Sequence, residues 1–216
     1  MGHHGAERPV RGFEARGGAA VAELDAEERA VIARVIADVG LLLDGESFGV
    51  EREPVADTEE ELFRYLRGFE AALSDSEDPA VLRILPNAAP TDREVADEFR
   101  RLTEPELRAT KVDRLRVIWL ALSEDGPEWE VPEDQAMATA AALTDVRLVL
   151  AARLGLDTDD DAEALHREID SAGHVLATGG ASDSVLNPER VWLGMLYQAL
   201  TWLQESLMSY VMRDDV

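Results

Sequence analysis

Between Gln135 and Leu154 only Asp145, Arg147 and Arg153 are charged, and most of the other residues are Ala, Leu, Val, Met and Thr. As a helix, this stretch is apolar nearly all the way round, so it must be enclosed by protein or by lipid. Three charges in hydrocarbon are expensive, and no flanking anchors mark a membrane span. The stretch therefore predicts the central helix of an all-α domain, with the other elements packed around it. Its own charges then need partners, because an unpaired buried charge is strongly destabilising. Asp145 and Arg147 are expected in structural, buried ion pairing, with Glu205 or Glu98 as candidate partners.

The chain has 216 residues and is 46% hydrophobic, enough for one large domain over residues 1–216 with a real core. Its net charge is −24, from 45 acids against 21 bases. Such a charge repels nucleic acid at long range and argues against direct DNA binding. Cysteine is absent, which rules out disulfides, thiolate nucleophiles and thiol redox switching within the chain. Met1 to Gly12 has no apolar core of a signal peptide, and a cytoplasmic location is expected.

The apolar patterns predict a single bundle of about six to seven helices. Residues 1–24 are a loose arm or a short β-hairpin around Gly17-Gly18. Asp25 and Glu28 form a capping box for a helix through Val31, Ile32, Val35, Ile36 and Val39, stopping at Gly45. A second helix carries Leu62, Phe63, Leu66, Phe69 and Leu73. Asp78-Pro79 opens a short helix to Leu85. Thr91 with Glu94 opens a helix through Val95, Phe99 and Leu102, and Thr103 with Glu106 opens the next, through Leu115, Ile118, Trp119 and Leu122. A break at Pro105 is expected, since proline inside a helix costs about 3 kcal/mol. Glu124 to Val131 reads as a polar loop. The central helix ends at Gly155. An acidic, weakly amphipathic piece follows, and residues 172–187 are expected as a mobile loop. Asn187-Pro188 caps the last helix, whose stripe is Leu193, Leu196, Leu200, Leu203, Leu207 and Tyr210. Trp192, Met195, Ala199 and Trp202 are expected to widen that stripe. It is assigned to the core rather than to a dimer seam, and a homodimer stays open.

Few residues suggest chemistry. Asp157, Asp159, Asp161, Glu163 and Glu168 are spaced like a calcium loop, but Ala162 stands where that loop needs glycine, so an acidic helix start is preferred. His166 and His174 straddle an expected helix end and read as surface histidines. No strand precedes Gly179-Gly180, so a phosphate loop fails on context. No catalytic, cofactor or metal site is expected. Arg93, Arg100, Arg101, Arg108, Lys111, Arg114 and Arg116 are the one basic concentration, and Lys111 is the sole lysine. Seven acids interleave with these seven bases between Asp92 and Arg116, which leaves no electrostatic footprint for DNA. The cluster is either a salt-laced helix surface or, through Arg100, Arg101, Arg108 and Lys111, a docking site for an acidic protein.

Four segments look familiar together: Asp78 to Pro86 (DPAVLRILP), Asp97 to Lys111 (DEFRRLTEPELRATK), Leu143 to Leu156 (LTDVRLVLAARLGL) and Trp192 to Leu207 (WLGMLYQALTWLQESL). In order and spacing they resemble an actinobacterial family catalogued as a domain of unknown function. Some of its members are named AosR, oxidative stress transcriptional regulator. The resemblance covers most of the chain from Phe13 onward. It implies a non-enzymatic cytosolic regulator acting with an alternative sigma factor or RNA polymerase on genes of sulfur-carrier-dependent cysteine synthesis. Neighbouring genes in the family suggest a second role, as adaptor or scaffold in Clp proteolysis. A cysteine-based sensor is chemically impossible here, and any oxidant sensing would fall to other groups, such as the five methionines. The strongly negative charge suits a regulator that docks on a basic protein partner rather than on an operator.

Overall fold

A computed structural model describes residues 11–44, 48, 78–86, 88–89, 91–178 and 187–213. These contain strands β1 (Glu14–Arg16), β2 (Ala19–Glu23) and β3 (Glu128–Pro132). The helices are α1 (Ala26–Asp44), α2 (Pro79–Ile84), α3 (Arg93–Ser123), α4 (Glu133–Leu154), α5 (Asp159–Thr178) and α6 (Pro188–Val211). The chain is thus predominantly helical, with six helices among the described residues. The helix expected across Leu62 to Leu73 lies outside them.

The apolar stretch forms α4, and α4 is the axis of the bundle. It packs against α1, α2, α3, α6, β2 and β3. From Ala138 to Ala152 no residue is fully exposed, while Ala136, Ala142, Leu143 and Val146 are sealed from solvent. The helix stops where expected. Gly155 adopts a left-handed φ of 67°, its amide donates to Ala152, and Leu156 donates to Ala151. That is a Schellman stop, completed by burial of Leu156.

The N-terminal segment is a hairpin. Gly17 and Gly18 have φ of 61° and 90°, and Arg16 pairs with Ala19. Two positive φ angles in a two-residue loop match the right-handed twist of the flanking strands. The hairpin is extended by β3, which pairs antiparallel with β2 in the order β1-β2-β3. A polar loop was expected at Glu124 to Val131, yet Glu128, Trp129, Glu130 and Val131 alternate out and in as a half-buried strand does. Trp129 is buried against the Phe13 ring, with centroids 5.0 Å apart.

Caps at Asp25, Asp78 and Asn187 form as expected. Asp25 accepts from the Glu27 and Glu28 amides while Glu28 accepts from the Asp25 amide. Asp78 accepts from Ala80, and Asn187 from Glu189 and Arg190. Asp92, not Thr91, caps α3 by accepting from Val95. No break occurs at Pro105: α3 runs unbroken for 31 residues. Thr103 is interior, its hydroxyl donating to the Phe99 carbonyl. Glu104 bridges Arg100 and Arg108 on either side of the proline, so side chains hold the turn that lacks a backbone bond. Helix α5 continues through Ala172 to Thr178, where a loop was expected, and residues 179–186 are not among those described.

The stripe of α6 is core: Leu196, Leu200, Leu203, Leu207 and Tyr210 are buried. Gly194 sits where α5 crosses, and a Cβ there would lie 2.8 Å from Leu165. Arg29, 5% exposed, ties α1 to the turn between α3 and β3. Its guanidinium donates to the carbonyls of Ala121, Glu124 and Glu128 at 2.7–2.9 Å.

Replacing Arg29 with Met leaves those carbonyls without their donor. A loss of about 3 kcal/mol in urea unfolding is expected, and an unchanged midpoint would contradict the role. The Arg153 guanidinium, aided by the Ala80 amide, holds the Asp78 carboxyl below its ordinary value of 3.8. Its stabilising contribution is full above that ordinary value and is lost as pH falls through the depressed one. Asp78→Asn should therefore lower the urea midpoint near pH 6, and the difference from the parent should shrink progressively as pH falls below the ordinary carboxylate value.

Candidate functional site

Two arrangements collect the residues that the sequence singled out: a buried polar seam between α3, α4 and α6, and an apolar groove beside α6. The seam follows from helix geometry. Asp145 and Arg147 are two residues apart, about 200° around the helix, so they face opposite neighbours. Lys111 of α3 reaches Asp145 with its ammonium 2.6 Å from Oδ1, and the two side chains are 13% and 6% exposed. Arg147 turns toward α6. It donates to Gln204 Oε1 at 2.5 Å and lies over the Tyr197 ring at 5.4 Å from its centroid. Gln204 in turn donates to the Thr144 hydroxyl at 2.6 Å, and that hydroxyl donates to the Ala140 carbonyl.

The expected partners of the central charges are thus corrected. Glu98 pairs with Arg101 one turn along its own helix, and Glu205 is exposed on the outer side of α6. Asp145 takes the sole lysine instead, and Arg147 takes an amide and a ring in place of a carboxylate. Arg153 pairs with Asp78 and joins α4 to the start of α2. Asp145 Oδ2 is buried without a hydrogen-bond partner, so this carboxylate depends on one ammonium for most of its stabilisation.

The basic residues considered for partner docking are mostly committed inside the fold. Arg100 and Arg108 share Glu104, with both guanidinium side chains 18% exposed, and Arg108 also donates to the Leu43 carbonyl. Lys111 is buried. Among Arg100, Arg101, Arg108 and Lys111, only Arg101 stands well into solvent, and it is paired with Glu98, whose carboxyl it lowers. A docking site formed by the four together is not what the geometry provides. Arg116 is similarly held by Asp44 and Asp113 and lies over the Phe48 ring.

The acidic residues resembling a calcium loop are dispersed. Asp161 forms a capping box with Thr158, accepting from its amide and hydroxyl. These bonds hold the Asp161 carboxyl below the usual carboxylate range. Asp157 pairs with Arg83, and Glu168 with Arg190. His166 lies 2.8 Å from the Gln198 amide and 3.6 Å from Asp170. His174 is eight residues further, about 12 Å along α5, so the histidines do not converge. Among the described residues no three His, Asp or Glu side chains come together as a metal site. No described helix is long and apolar enough to cross a membrane.

The groove was missed by sequence reasoning. Trp192, Met195 and Trp202 were expected to widen the buried stripe of α6, but they are 45%, 47% and 54% exposed. With Gln198 and Ala199 they line an open cleft of about 590 Å³. Val31, Ile32, Glu27 and Glu28 of α1 line it as well, together with Ile169 of α5. The spacing 192, 195, 199, 202 keeps these residues on one helical face, next to the buried leucines but turned away from them. The cleft is thus lined mostly by apolar side chains, with Glu27, Glu28 and Gln198 as the polar ones, and Glu28 is already engaged by the Asp25 amide.

The chain belongs to the family described as Domain of unknown function (DUF2017), which it matches over residues 10–211. No curated protein and no solved structure matches it.

The buried seam makes a sharp prediction. Lys111→Met strands the Asp145 carboxylate and should cost roughly 3–5 kcal/mol in urea unfolding, while adding Asp145→Leu should recover most of that loss. Additive losses in the two variants would show that the pair is not coupled.

Proposed function

We propose that this DUF2017 chain is a non-enzymatic transcriptional regulator linked to oxidative stress, working through protein contact with an alternative sigma factor or RNA polymerase. The observation that carries the protein-contact part is the groove: two tryptophans and a methionine stand in solvent on a chain whose ordinary surface is densely charged. Exposed aromatic clusters of this kind are where binding energy concentrates in protein interfaces. A net charge of −24 speeds encounter with a basic protein surface and opposes approach to DNA. The resemblance to AosR-type regulators supplies the transcriptional and oxidative-stress parts. The absence of cysteine restricts any oxidant sensing by this chain to groups other than thiols.

Titration of the purified chain with the sigma factor and RNA polymerase of its own organism, read by tryptophan fluorescence, tests this. Saturable binding is expected, weakened about tenfold or more by Trp192→Ala or Trp202→Ala with helicity unchanged. Binding to Clp subunits alone would establish the adaptor role instead. Specific promoter binding by the chain alone at about 0.15 M salt would overturn the protein-contact reading.

A further inference from the structure

The chain enters the fold at one end of the α6 groove. Gly12 packs so closely on α6 that a Cβ there would lie 2.7 Å from Ser206 Cβ and 3.0 Å from the Trp202 indole nitrogen. The Phe13 amide donates to the Ser206 hydroxyl at 2.8 Å, which fixes this contact. Arg11, one residue further out, reaches Glu23 with its guanidinium at 2.7 Å. Glu23 ends β2, two residues before the Asp25 cap of α1. Helices α1 and α6 supply most of the groove lining. Arg11 and Gly12 therefore bridge from the start of one wall to the other, and the residues before them set out from the groove, beside Trp202.

Ten residues of sequence precede Arg11, and all ten lie outside the described residues. Fully extended, they reach about 33 Å. From Trp202 back to Trp192 the groove follows ten helical residues, about 15 Å. Residues 6–10 are thus long enough to run its length. Their order suits the lining. Pro9 and Val10 come first, next to Trp202. Proline is already fixed at an extended φ, so it docks on aromatic side chains with little loss of freedom. Arg8 follows, toward a lining whose carboxylates are Glu27 and Glu28. Glu28 serves the Asp25 amide, whereas Glu27 is exposed. Glu7 is the only acid among residues 1–10, so this segment brings no net negative charge to a chain whose total is −24.

We propose that residues 6–10 of this chain lie extended along the α6 groove in cis, with Pro9 and Val10 on Trp202. The groove is then covered by its own chain, and a partner has to displace the segment to enter. A short tether sets the local concentration of such a segment on the order of millimolar, so that even a weak contact keeps the groove mostly occupied. The proposal concerns the free chain and holds whichever partner uses the groove.

Acrylamide quenching of tryptophan emission in the full chain tests this without any partner, and so independently of the sigma-factor reading. The double variant Pro9→Asp, Val10→Asp should release the segment. Because the tethered segment otherwise keeps the groove mostly occupied, quenching should rise roughly twofold as Trp192 and Trp202 are uncovered, with circular dichroism unchanged. The rise should vanish when Trp192 and Trp202 are both replaced by Phe, and the shielding of the parent should be the same at every protein concentration. Equal quenching of parent and variant overturns the proposal. So does a rise that persists without Trp192 and Trp202, since it would come from Trp119 or Trp129. Shielding that grows with protein concentration overturns it as well, by assigning the groove to a second copy.

Discussion

Everything in this molecule is arranged around the need to keep α4 out of water. A helix without a polar face has to be covered on every side, and here α1, α2, α3, α6 and two strands share the task. The charged residues that α4 retains fix how its neighbours sit. Asp145 draws in Lys111 from α3, and Arg147 draws in Gln204 and Tyr197 from α6. Apolar burial supplies most of the drive to assemble, whereas these contacts determine register, because a carboxylate buried at 4% exposure tolerates few alternative packings.

Covering α4 determines what is left outside. The covering helices each have an inner and an outer side, and on most of them the outer side is acidic. Two exceptions stand out. On α6 the apolar surface continues past the leucines into Trp192, Met195 and Trp202, and on α3 it reappears opposite the core. Neither lies at the centre of the fold, so both can be occupied without disturbing the buried seam.

Much of the fold was legible in local sequence because local physics decides it. The apolar content of Gln135 to Leu154, the Gly155 stop and the caps at Asp25, Asp78 and Asn187 all act within a few residues. What was not legible depended on distant partners. Strand β3 has only Trp129 and Val131 as inward residues, and its neighbour β2 lies more than 100 residues earlier. Pro105 was expected to end a helix, but Glu104 clamps both sides of it through Arg100 and Arg108. The buried charges were recognisable as needing partners, although choosing Lys111 for Asp145 requires knowing how α3 lies on α4. The groove was hidden for a further reason: Trp192 and Trp202 border the leucine stripe, and whether residues at its edge are covered depends on how the start of α1 and the middle of α5 lie beside α6.

Native-state hydrogen exchange on α4 probes the central claim most directly. If this helix is the enclosed axis, the amides from Leu143 to Ala151 should exchange only through global unfolding and be the slowest in the chain, with a denaturant dependence equal to that of complete unfolding. Exchange of those amides by local opening, at rates like those of the more exposed α5, would contradict it.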